Sequence, residues 1–183
     1  MLRTILLYGA LAGLIVSVPM VVQMLALRGS MSHGAIGMAI GYTTMLVALS
    51  VIFLAVKRRR DVEGGGAIRF WPAFGLGLGI GVVAGAFYVA AWDLSLALTG
   101  MDFGADLARA MVKSAETKGL TGPALAKVRA EADAFRASYA NPLMRWPMTF
   151  MEIAPVILLV SLVSAAVLRN PRVLPARQSA AAA

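Results

Sequence analysis

Gly34–Asp61, GAIGMAIGYTTMLVALSVIFLAVKRRRD, is the stretch that decides what kind of protein this chain is. It has no charged side chain from Gly34 to Val56, and then Lys57, Arg58, Arg59 and Arg60 follow in unbroken succession. An uncharged run of about 23 residues makes roughly 34 Å of helix, enough to cross a hydrocarbon core of about 30 Å. Short basic loops stay on the cytoplasmic side, so four cations at one end predict a span running from outside to inside.

The composition agrees with a lipid solvent. Of the 183 residues, 60% are hydrophobic and only 14% charged, against about a quarter charged in soluble domains; the mean hydropathy is +0.78. The chain has no cysteine, which excludes disulfides, thiol chemistry and thiolate metal sites. His33 stands alone and cannot assemble a multi-histidine site, so no metal and no cofactor is expected. The net charge of +8 sits beside apolar spans. That placement suits topology determinants and anionic headgroups at Lys57 to Arg60 rather than nucleic acid.

Working outward, Thr4 to Leu27 is a second uncharged run between Arg3 and Arg28. Ala10-Leu11-Ala12 has the small-x-small look of a signal-cleavage site, but a run of about 24 residues is too long for a signal core and reads as a retained span. Pro19 should kink it and free the carbonyl of Ile15. Gly29 to His33 form a short outer turn in which His33 is either a plain exposed residue or a pH sensor. Beyond Asp61 the Gly64-Gly65-Gly66 loop leads to Arg69 and a third span opened by Phe70-Trp71-Pro72, an interfacial ring with a first-turn proline. Gly77, Gly81 and Gly85 share one face of that span, and Gly37 with Gly41 mark the second. Such small-xxx-small pairs predict close helix packing, within one chain or between two copies in a homo-oligomer.

From Gly100 to Arg145 charges of both signs alternate, seven cations with five acids. Gly119, Thr121 and Pro123 predict a helix end followed by a capped helix start. Leu125, Val128, Ala132, Phe135 and Tyr139 form one apolar stripe, with Phe103, Leu107 and Met111 on the preceding segment. This is a helical hairpin that lies on the outer surface or over the bundle, or else receives an unidentified protein partner. Asn141-Pro142 ends it, and Trp146-Pro147 opens a fourth span that Arg169, Arg172 and Arg177 close. The predicted architecture is an all-α integral membrane four-helix bundle and a single domain. Its spans fall at about 4–27, 34–56, 70–97 and 147–168, its hairpin at about 100–145, and its disordered tail at about 173–183. Arg3, Lys57 to Arg60, Arg69, Arg169, Arg172 and Arg177 then lie inside against only Asp61 and Glu63, with both termini cytoplasmic.

Two carboxylates lie at or near membrane depth. Counting from the basic boundaries puts Glu152 roughly 25 Å up, Asp93 roughly 36 Å, Tyr42 roughly 22 Å, Gln23 roughly 30 Å and Tyr88 roughly 28 Å. An acid on a membrane helix costs a few kcal/mol unless it faces partners, a cavity or the interface. Glu152 is expected to point into the bundle and bond Tyr42, Gln23 or Tyr88. Pro155 adds a bend and a free carbonyl at Met151 beside it. Glu152 is then a structural hydrogen-bond hub, an ion, proton or ligand site, or an interfacial acid paired with Arg145. Asp93 reads as interfacial. No nucleotide loop or serine–histidine arrangement occurs, and the two carboxylates have no substrate surface beside them, so no enzymatic activity is expected.

Three blocks of residues carry a resemblance. They are Gly41-Tyr42, Met45-Leu46, Ala48, Ser50, Ile52-Phe53, Lys57 and Arg60-Asp61; Gly79-x-Gly81, Gly85, Tyr88-Val89 and Trp92; and Asn141-Pro142-Leu143, Arg145, Thr149-Phe150, Glu152-Ile153 and Pro155-Val156. In that order they resemble the bacterial domain-of-unknown-function 4199 family, with Ile157 standing where a glycine is expected. The resemblance implies a four-helix bacterial inner-membrane protein and implies no activity. A non-enzymatic subunit or scaffold acting through helix packing is the first functional expectation. The alternative is a small oligomeric transporter or channel using Glu152 with Tyr42, and membrane-embedded lipid chemistry comes third.

Overall fold

A computed structural model describes residues 1–26 and 35–175. His33 with the turn Gly29–His33, Arg28, Arg177 and the tail from 176 lie outside the described residues. Among the described residues the chain is all α-helix: α1 (Leu2–Ala26), α2 (Ala35–Val62), α3 (Phe70–Thr99), α4 (Phe103–Thr117), α5 (Gly122–Ala140) and α6 (Pro142–Leu168). Four of these, α1, α2, α3 and α6, are long and apolar enough to cross a membrane. The hydropathy pattern thus predicts the right architecture, a four-helix bundle with a hairpin, α4–α5, between its third and fourth long helices. Around the bundle α1 packs on α3 and α2, α6 packs on α3 and α2, and α2 meets α3 across the short diagonal. The core between them holds Ala48, Leu49, Ile52, Leu76, Ile80, Ala84 and Ile153. Outward leucines such as Leu7, Leu14, Leu158 and Leu162 stay exposed, as a lipid-facing surface requires.

Glycines determine how closely the helices approach. A methyl group at Gly77 would lie 3.0 Å from Ile52 and from Ser161 Cβ, one at Gly81 would lie on Ile157, and one at Gly85 would lie on the Phe150 ring. This face therefore seats α6, and Ile157 is the side chain that fills the notch at Gly81. A second such face, unread in the sequence, is Gly9 and Gly13 of α1, where added methyls would meet Val83 and Phe87 of α3 at 2.5 and 2.6 Å. It is the same small-xxx-small signal, hidden by the cleavage-site look of Ala10-Leu11-Ala12. Gly41 differs from its expectation: a methyl there would meet nothing within 4 Å. Gly41 and Gly37 are both half-buried.

The four cations at the end of α2 differ in how far they reach the surface. Arg60 is fully buried. Its Nε donates to Asp61 at 2.7 Å, and its Nη1 and Nη2 donate to the carbonyls of Val173 and Leu174 at 2.8 and 2.5 Å. The start of the tail, read as disordered from 173, is thus held against the last turn of α2. Lys57 pairs with Asp61 and Arg59 with Glu63. Of the four cations only Arg58 is exposed, its Nη1 donating to the Tyr8 hydroxyl at 3.4 Å.

Helix starts also differ from their sequence reading. Thr121 stands at the N-cap of α5, but its side chain makes no cap bond; the side-chain cap in the hairpin is Asp102, whose Oδ1 accepts from the Ala105 N–H at 2.9 Å. The fourth long helix begins at Pro142, not Pro147, because Asn141 Oδ1 accepts from the Leu143 N–H at 3.0 Å and Pro142 fits the first turn. Pro147 is an interior proline of α6.

Candidate functional site at the hairpin end of the bundle

The polar groups of the long helices collect at the hairpin end. Tyr88 of α3 is buried at 7% exposure, and its hydroxyl donates to Glu152 Oε2 of α6 at 3.0 Å. Residue counting from Arg69 and from Arg169, basic boundaries on the same side, gives these two nearly the same height, and the helices bring them together. Glu152 itself is not inside the bundle. It lies exposed at the bundle surface, with one oxygen tethered inward. The reason is angular: Ile153 and Val156 take the core-facing positions of α6, and Glu152 is displaced by about 100° from Ile153.

Tyr42 of α2 is 48% exposed and within electrostatic reach of Tyr88, without a hydrogen bond to Glu152. Gly41, next to it, leaves open space. Gln23 of α1 is exposed and makes no bond to Glu152; α1 packs on α3 and α2, away from α6. The site thus has a carboxylate of α6 bonded to a buried phenol of α3, with the exposed Tyr42 phenol of α2 near the latter.

Asp93 belongs to a separate group. Arg145 Nε donates to its Oδ1 at 2.8 Å and Trp146 Nε1 to its Oδ2 at 2.5 Å. Arg145 therefore serves Asp93 and not Glu152. Its Nη1 also donates to the Tyr139 carbonyl at 3.3 Å, and its guanidinium lies 5.9 Å from the Tyr139 ring centre. The Tyr139 hydroxyl accepts from Trp92 Nε1 at 2.7 Å. Phe103 meets Trp92 edge-on at 5.2 Å and Tyr139 at 5.3 Å, and Phe135 stacks on Tyr139 at 5.5 Å. Burial pushes the Tyr139 phenol above its ordinary range, so it stays a neutral hydrogen-bonding group at physiological pH. Together Asp93, Arg145, Trp92 and Tyr139 bolt the hairpin to the ends of α3 and α6. Sequence reading found Asp93, Arg145 and Tyr139 but not their mutual contact, which closes across the whole hairpin.

Between α4 and α5 an open groove of about 890 Å³ is lined by Asp102, Arg109, Lys113, Glu116, Arg129 and Arg136 among others. Arg129 pairs there with Glu116 at 2.9 Å and Arg136 with Asp102 at 3.2 Å. The Ala105 N–H, with Arg136 beside it, holds the Asp102 carboxyl below the usual carboxylate range. Among the described residues no three of histidine, cysteine, aspartate and glutamate gather as a metal site would need.

The family model described as "Protein of unknown function (DUF4199)" matches residues 7–170, nearly the whole chain. No curated protein matches, and no solved structure does.

Proposed function

We infer, from the premise that this chain belongs to the DUF4199 family, that it is a multi-pass protein of a bacterial inner membrane acting as a non-enzymatic subunit or scaffold. Both termini lie in the cytoplasm and the hairpin faces outward, because the arginine-rich ends of α2 and α6 meet at one side and the hairpin's mixed charges lie at the other. Anionic headgroups are met by exposed cations of the basic side, Arg3, Arg58, Arg69 and Arg169, rather than by the whole run Lys57 to Arg60. The observation that carries the reading is the bolting of the hairpin to the bundle through Trp92 and Arg145, which donate to the Tyr139 hydroxyl and carbonyl, with Asp93 holding Arg145 in place. A charged groove held at fixed height and angle above a membrane suits docking of another protein, or of a second copy, better than it suits turnover of a small molecule.

The test places a photocrosslinking residue at Arg129, in the groove, or at Leu158, on the exposed face of α6, in native membranes. A discrete protein adduct from position 129 that is absent from position 158 is the expected result. A second reading, an oligomeric transporter, is favoured by Glu152 standing exposed on a helix long and apolar enough to cross a membrane. Cation or proton flux into liposomes by the purified chain, lost in Glu152→Gln, would replace the scaffold reading with that one. A reporter fused after Ala183 and active outside the cytoplasm would reverse the orientation.

A further inference from the structure

Glu152 has a geometry that the scaffold reading does not use. One carboxylate oxygen accepts from Tyr88, whose ring is locked in the core, so the carboxylate is aimed rather than free to swing away. Oε1 accepts no hydrogen bond among the described residues. The nearest cation along α6, Arg145, is occupied by Asp93 and the Tyr139 carbonyl. The carboxylate is thus presented outward without a countercharge among the described residues. Tyr42 of α2, 48% exposed, is within electrostatic reach of Tyr88, and Met148 and Met151, on the same helix as Glu152, are exposed.

An exposed carboxylate on a membrane-spanning helix is stabilised by a cation brought to it. A hard metal ion takes about six oxygen ligands, and this site offers one carboxylate whose neighbouring phenol already donates to it. An ammonium group needs less: one carboxylate for its charge and apolar walls for the chain it is attached to. The height also suits one. Glu152 lies about 17 residues above Arg169, or roughly 25 Å along α6, near where a core of about 30 Å gives way to headgroups.

We propose that Glu152, tethered by Tyr88, is a binding site for an ammonium group. It is carried either by an ethanolamine-type phospholipid headgroup or by a free lipophilic amine. The site rests on the membrane reading of the chain and not on its assembly with other proteins.

The experiment uses the full chain in a mild detergent and native mass spectrometry. Phosphatidylethanolamine and phosphatidylglycerol with matched acyl chains are supplied in equal amounts, and dodecylammonium is the free-amine probe. Wild type should retain phosphatidylethanolamine over phosphatidylglycerol by about tenfold, the effect of one charge-assisted contact. Glu152→Gln should abolish that preference, Glu152→Asp should keep part of it, and Tyr88→Phe should weaken it several-fold. Displacement of the lipid by dodecylammonium shows that the ammonium alone is recognised, whereas preference without displacement assigns the site to the lipid headgroup. Glu152-dependent binding of dodecylammonium with no lipid preference assigns it to a free amine. Equal retention of both lipids together with amine binding unchanged by Glu152→Gln overturns the proposal. Should Glu152→Gln fail to fold, the wild-type preference and the Glu152→Asp and Tyr88→Phe variants decide. Retention is read on isolated monomers, so its failure is separate from failure of the crosslinking test.

Discussion

Replacing Gly81 with alanine tests whether helix approach is limited by the glycine face of α3. The new Cβ would land on Ile157 Cγ2 and lie 3.1 Å from Ile157 Cβ and from Cγ1. Ile157 is 3% exposed and branched at the colliding carbon, so no flexible chain end is available to move aside. Overpacking of this kind costs about 1–3 kcal/mol, and alanine returns somewhat less than about 1 kcal/mol of helix propensity. The net loss is about 1–2 kcal/mol, which lowers the unfolding midpoint by roughly 2–8 °C for a chain of this length. Gly41→Ala is the matched control: it gains the same propensity and its methyl meets nothing within 4 Å. It should leave stability unchanged or raise it. Ile157→Ala should cost about 2–5 kcal/mol alone, yet Gly81→Ala added to it should cost almost nothing, a coupling of at least about 1 kcal/mol in the double-mutant cycle. Thermal unfolding in one detergent, followed by circular dichroism, measures all four chains. Equal midpoints for the alanines at 41 and 81, or strict additivity of 81 with 157, would refute the notch.

Two further perturbations test the two ends of the bundle. Arg60→Ala leaves the buried side of Asp61 and the carbonyls of Val173 and Leu174 without their donor. It should cost about 3–5 kcal/mol, as removal of one partner of a buried ion pair does. The same variant should make trypsin cleavage after Arg172 at least about tenfold faster; unchanged protection would mean that the tail is held by something else. At the hairpin, the Ala105 N–H and then Arg136 depress the Asp102 carboxyl below its unfolded value of about 3.9. A depressed carboxyl contributes stability that is present above that value and is lost as pH falls through the folded one. Asp102→Ala should therefore cost about 1 kcal/mol at neutral pH, with the gap to wild type closing as pH falls below the unfolded value of about 3.9. A gap that stays constant from about pH 7 until the carboxyl is fully protonated in both states would show that the loss is not electrostatic.

What was legible in the sequence came from features that need no distant partner. Uncharged runs of sufficient length imply helices wherever they sit, and their basic ends can be counted from. That counting put Glu152 and Tyr88 at one height, and their hydrogen bond is the result. It could not give rotation about the axis, so Glu152 was placed inward when it faces outward. Gly41 and Gly81 carry the same local pattern with opposite outcomes, because only at Gly81 does another helix supply a side chain. The aromatic seat of the hairpin was divided in the same way. Tyr139 lay on a visible stripe, while Trp92, 47 residues earlier, gave no sign of being its donor.

The cations of Lys57 to Arg60 bring both kinds of information into one place. Charge bias acts on an inserting chain before tertiary contacts exist, so under the proposed topology all four count toward orientation even though the folded bundle pairs three of them with acids. Arg60 is suited to both roles. Its position at the end of an apolar run made it look like a headgroup ligand, yet a guanidinium can place several donors at once, and here two of them meet consecutive carbonyls 113 and 114 residues away. Nothing near Arg60 distinguishes it from Arg58, which stays exposed. The difference arises from helical phase: Arg60 falls two residues past Arg58, on the side of α2 that meets α6 and the segment after it. Moving the exposed charge from 58 to another surface position should leave the fold intact, whereas removing the charge at 60 should release the end of α6.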